Sequence, residues 1–104
     1  AARPTVLNEF GGIGLALKGH LWEPDRNWGY IQFNSEKEVT DQYAQYAGEL
    51  MKLIKAGISG AVYTQITDVE IEVNGLLTYD REKFKVDVDR IRQANHTIRG
   101  SLAK

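Results

Sequence analysis

Cysteine is absent from the 104-residue chain. That excludes disulfides and thiolate metal sites, and it leaves the cellular compartment open. Histidine occurs only at His20 and His96, too few and too isolated in sequence to suggest zinc, so no metal and no cofactor is expected. Neither sign of charge is in excess: 13 basic against 14 acidic residues give a net charge of −1, so the chain has no general attraction for nucleic acid or an anionic membrane. No apolar run approaches the ~20 residues needed to span a bilayer. Ala1 opens no charged-then-apolar leader. Internal repeats and low-complexity segments are also missing. What is present, 42% hydrophobic and 26% charged residues, is ordinary for a globular protein and is enough for one small domain with one modest core.

Val6-Leu7-Asn8-Glu9-Phe10-Gly11-Gly12 is the most informative stretch. A short apolar run ends abruptly in a carboxylate, an aromatic ring and two glycines. The pattern reads as a buried strand over Thr5 to Asn8 that delivers Glu9 to a rim, where the glycines let the backbone turn away. Enzymes built on parallel sheets present catalytic acids in this way. The plainer reading is a strand end bearing a solvated Glu.

From Gly11 to Asn34 neither a helical nor a strand period is clean. The segment holds five glycines and the aromatics Trp22, Trp28, Tyr30 and Phe33. Such rings either cover a core edge or form a platform on which sugar faces stack. His20 in this loop reads as a hydrogen-bonding residue. Ser35 followed by Glu38 is a capping box. Behind it Val39, Tyr43, Tyr46, Ala47, Leu50, Leu53 and Ile54 recur at helical spacing, which predicts a helix over Glu36 to Lys55 stopped by Gly57. Tyr43 and Tyr46 read as core packing. Ser59 to Gln65 reads as a second buried strand, so strand, helix and strand form a unit whose strands should be parallel. Asp68, Glu70 and Glu72 alternate with Val69, Ile71 and Val73, as in an edge strand with a solvated acidic face; the spacing does not fit a calcium loop. Asn74-Gly75 suggests a tight turn. Asp87 can cap a last helix over Val88 to Arg99 that stops at Gly100.

The fold class is therefore α/β, with two βα units in order. Two parallel strands under two helices do not make a self-sufficient design, because parallel sheets need both faces covered and usually more strands. Both strands read as buried on each side. The direct entry from Ala1-Ala2-Arg3-Pro4 into a buried-type strand leads to the expectation that the chain is cut from something longer. Its open edges would be covered by the rest of that protein or by self-association.

Pro4 to Gly12 resembles the nucleophile strand of the family 2 glycoside hydrolases, the β-galactosidase and β-glucuronidase group, with its Glu-aromatic-Gly signature. Gly60-Ala61-Val62-Tyr63-Thr64-Gln65-Ile66-Thr67-Asp68-Val69-Glu70 resembles that family's last barrel strand and the loop after it. Asn74 to Lys85 is similar to the stretch leading to the last barrel helix. The three motifs fall in the family's order over essentially all of the chain. The resemblance implies that residues 1–104 are the C-terminal part of a (β/α)8 barrel, strand 7 to helix 8: a partial TIM barrel. It implies that Glu9 is the nucleophile of a retaining β-glycosidase, and that the acid/base Glu lies on a barrel strand outside this sequence, so the isolated chain is inactive. By the same resemblance Tyr63 and Gln65 line the sugar subsite and Trp22 and Trp28 form its wall. Glucuronidases carry an Asn-x-Lys pair where this chain has Glu72 and Asn74, which points to a neutral β-linked sugar such as galactose rather than glucuronate.

Two other readings stay open. One is a small carbohydrate-binding module that stacks sugars on Trp22, Trp28 and Tyr30; the other is a self-associating unit without catalysis. A complete small enzyme pairing Glu9 with Asp68 or Glu70 would need those carboxylates roughly 5 Å apart across a dry cleft.

Overall fold

The structure is a computed structural model and describes residues 5–102. Its elements are β1 (Thr5–Gly11), β2 (Ile13–Leu15), β3 (Ile31–Phe33), α1 (Glu36–Lys55), β4 (Ile58–Thr64) and α2 (Val88–Leu102). β1 pairs with β4, and β2 with β3, both in parallel. The mixed α/β class and the parallel strand–helix–strand unit are as the residues predict. β2 and β3 are not: they lie inside the stretch expected to be irregular, and three residues each is too short to show a period.

α1 spans the predicted residues because its ends are chemically marked. The Glu38 backbone N–H donates to Ser35 Oγ at 3.2 Å, and Glu38 Oε1 reaches back to accept the Asn34 N–H at 3.0 Å. Glu36 and Glu38 lie in the first turn and Lys52 and Lys55 in the last, both matched to the helix dipole. Gly57, at φ +120°, carries the chain out of the helix.

α2 begins as predicted, with Asp87 Oδ1 accepting the Asp89 and Arg90 N–H groups. It then runs through Gly100 instead of stopping there. A glycine inside a helix costs about 1 kcal/mol relative to alanine, which does not terminate it. Ser101 also reaches Met51 of α1.

Two further expectations are corrected. The acidic stretch after β4 is not an edge strand: Val69 and Glu72 close a tight turn by two backbone hydrogen bonds, with Glu70 at φ 51°. Asp68 is buried rather than solvated. Among the described residues nothing covers one face of the β1–β4 pair, where Val6 is 52% and Val62 54% exposed.

The core gathers instead at Ile13 and Leu15 of β2, Val39 and Tyr43 of α1, Val86, and Ile91 of α2. The radius of gyration is 14.7 Å, against about 13 Å for a compact domain of this length. A single helical layer on a narrow sheet leaves the molecule long and thin. Among the described residues no helix is long and apolar enough to cross a membrane.

Candidate functional site around Glu9

Pairing between β1 and β4 slips between Leu7, opposite Ala61, and Phe10, opposite Tyr63. Asn8 and Glu9 together face Val62, which is a β-bulge. Bulges re-aim side chains. Here Leu7 and Phe10 both line a groove against Tyr46, Leu50 and Leu53 of α1, while Glu9 is exposed. Glu9 thus stands two residues inside the carboxyl end of the strand, not just beyond it.

Glu9 opens onto a cleft of about 170 Å³, with Phe10, Gly11, Gly12, Tyr30 and Thr64 as its other walls. The two glycines are required there. A Cβ on Gly11, at φ +110°, would sit 2.6 Å from the Thr64 carbonyl oxygen, and one on Gly12 would sit 2.9 Å from the Tyr30 ring. Backbone bonds fix the walls: the Gly12 N–H donates to Thr64 O at 2.9 Å and the Ile31 N–H to Gly12 O at 3.1 Å.

The wall residue Tyr30 is held from behind. Its N–H donates to Asn74 Oδ1 at 3.1 Å, and Asn74 Nδ2 donates to Glu72. Asn74 O accepts the Gln65 N–H at 3.4 Å. Asn74 is fully buried, and beside it lies a buried ion pair: Lys85 Nζ is 2.7 Å from Asp68 Oδ1 and 2.9 Å from Val73 O, while the Gly75 N–H donates to Asp68 Oδ1. Burial pushes the Asp68 carboxyl up and the Lys85 ammonium down from their ordinary ranges, against the opposing pull of their mutual hydrogen bond.

The residues singled out in the sequence are not all brought together. Trp28 packs edge-on to Tyr30 with ring centres 5.2 Å apart, so it supports the cleft wall from outside. Trp22 packs edge-on to Tyr79 instead. The Tyr63 ring turns away from the cleft, into a cluster with Phe10 and Tyr43. Its hydroxyl is buried without a partner, and burial pushes its pKa well above the usual tyrosine value. Gln65 is half-buried and held through its backbone, with Nε2 buried and unpaired.

Asp68 is locked to Lys85, and Glu70 stands exposed on the tight turn, so neither joins Glu9. Among the described residues Glu9 is the one carboxylate lining the cleft. The cleft can therefore offer one nucleophile or base beside an aromatic wall and a threonine. Thr64 and Asn74 were missed by sequence reasoning. The Asn-Gly dipeptide marked the place of Asn74 but read only as a tight turn, and nothing in the local pattern marks Thr64 as a cleft wall. No protein-family model matches the chain, and no curated protein is significantly similar to it.

Proposed function

We propose that the chain is the C-terminal part of a (β/α)8 barrel, strand 7 to helix 8, of a retaining β-glycosidase of the family 2 type, with Glu9 as nucleophile. The observation that carries this reading is an exposed carboxylate, set by a bulge near the carboxyl end of a strand that runs parallel to the next strand across α1. Parallel α/β barrels place reacting groups at that end. The uncovered valines on the β1–β4 face and the single carboxylate in the cleft support the same reading.

In the proposed reaction Glu9 attacks the anomeric carbon while the glycosidic C–O bond breaks. A second carboxyl about 5–5.5 Å away protonates the leaving oxygen and then deprotonates the water that releases the sugar. That second group belongs to the rest of the barrel. The substrate class is a neutral β-linked glycoside of the galactoside type.

Two measurements test this. A 2-deoxy-2-fluoro-β-galactoside added to the longer polypeptide should leave a covalent sugar on the peptide holding Glu9; a label on another peptide removes Glu9 as nucleophile. The isolated 104-residue chain should form a concentration-dependent oligomer and not cleave a chromogenic β-galactoside; a folded monomer with turnover overturns the fragment reading.

The exposed pairs Trp22–Tyr79 and Trp28–Tyr30 favour a second reading, a sugar-binding module without catalysis. It predicts galactoside-dependent shifts of the indole resonances in the isolated chain, and their absence removes it.

A further inference from the structure

We propose that His20, Asp80 and Glu82 form a binding site for a zinc ion. His20 stands alone in its loop, but the fold brings it against two carboxylates from a turn 60 residues further on. His20 Nδ1 lies 3.0 Å from Asp80 Oδ2 and 3.7 Å from Glu82 Oε2, and one ligand atom from each of the three residues falls within 4.8 Å of the other two.

In a tetrahedral zinc site with bonds of about 2.0–2.2 Å, neighbouring ligand atoms are about 3.4 Å apart. The two His20 distances bracket that spacing. One imidazole and two carboxylates suit zinc, and the open side, where Glu82 is 70% exposed, leaves room for a water as fourth ligand.

The carboxylate side of the site is built without help from His20. Thr78 is fully buried and closes its loop by two backbone bonds: its N–H donates to Lys83 O at 3.0 Å and its C=O accepts the Arg81 N–H at 2.9 Å. Its hydroxyl and the Glu82 N–H both donate to Asp80 Oδ1, which leaves Oδ2 facing the imidazole. Supporting hydrogen bonds of this kind orient metal ligands. On the other side the His20 N–H donates to Leu17 O at 3.0 Å, which fixes the turn that carries the ring.

None of the three residues lines the Glu9 cleft, so the inference does not rest on the proposed glycosidase reading. A bound zinc would pin the Leu17–His20 turn to the Thr78–Lys83 loop, beside the Trp22–Tyr79 contact.

The test is calorimetric titration of zinc into the metal-free 104-residue chain in a non-chelating buffer, with magnesium in parallel. One zinc should bind per chain, with little response to magnesium, because an imidazole nitrogen disfavours hard cations. His20→Ala and Asp80→Asn should each weaken zinc binding at least ~10-fold, and His96→Ala should leave it unchanged. Cobalt should give a tetrahedral absorption spectrum that His20→Ala removes. Absence of zinc binding, binding that survives His20→Ala, or binding lost in His96→Ala overturns the proposal and leaves His20 and Asp80 as a hydrogen-bonded pair only. If the alanine variant does not fold, Asp80→Asn and the cobalt spectrum of the unaltered chain decide the question.

Discussion

Lys85 Nζ and Asp68 Oδ1 meet at 2.7 Å with their side chains 0% and 3% exposed, and the Val73 carbonyl that Lys85 also binds accepts the N–H of Leu15 in β2. Taking both charges out of water is costly, and only the pair and its extra hydrogen bonds to Val73 O and the Gly75 N–H offset it. Lys85→Met would leave a buried carboxylate without a counter-charge. Urea unfolding should show a loss of about 3–5 kcal/mol. Adding Asp68→Asn should recover a large part of that, because the amide oxygen still accepts from Gly75 and no charge is stranded. Equal loss in the single and double variants would show that the charge is not what matters.

Gly29 and Gly48 make opposite predictions from the same substitution. A Cβ on Gly29 would lie 2.6 Å from Asn74 Oδ1 and 3.0 Å from the Gly14 Cα, displacing the group that holds Tyr30. Gly48 sits within α1 with nothing within 4 Å of its Cβ position. Gly48→Ala should therefore stabilise by about 0.5–1 kcal/mol. Gly29→Ala should destabilise by roughly 1–3 kcal/mol through the stranded Tyr30 N–H. Thermal melting of the two variants checks both signs.

The sequence was most legible where one local signal decides the outcome. Ser35, Glu38 and Gly57 mark the ends of α1, and its bounds match the prediction. Asp87 marks the start of α2, whereas Gly100 misled because a helix tolerates a glycine that has room. Illegible were the features that need distant partners. The bulge that turns Glu9 away from α1 exists only in the pairing of β1 with β4. Asp68 looked like one of three solvated acids because Lys85, 17 residues on, carries no local sign of its burial. Tyr63 read as a rim residue, but the ring space beside Phe10 and Tyr43 takes it into the packed layer.

Asp80 gives the chain a specific acid response. Hydrogen bonds from the Thr78 hydroxyl and the Glu82 N–H, with a smaller pull from His20, hold its carboxyl down at about 2, below the ordinary value of 3.8. A depressed carboxyl stabilises the fold above the unfolded value and loses that contribution as pH falls through the folded one. The Asp80 contribution should thus be complete above about pH 4 and fade toward pH 2. Asp80→Asn should flatten the melting temperature of the chain across that window relative to the unaltered protein. A parallel decline in both would assign the acid response to other groups.

Val6 and Val62 lie on the strand face that no helix covers, 52% and 54% exposed. Exposed apolar side chains on a two-stranded sheet invite association, through the face and through the unpaired strand edges beside it. Light scattering across a concentration series should show the mass of the isolated chain rising with concentration, and Val6→Lys with Val62→Glu should bring it back toward the monomer. Because both residues are solvent-exposed, melting of the doubly substituted monomer should change by no more than about 0.5 kcal/mol. The same two substitutions in a longer polypeptide that completes the barrel should act quite differently: there the valines face a packed interior, and two buried charges should prevent folding. Harmless substitutions in both settings would mean that this face is never covered, and would count against the barrel reading directly.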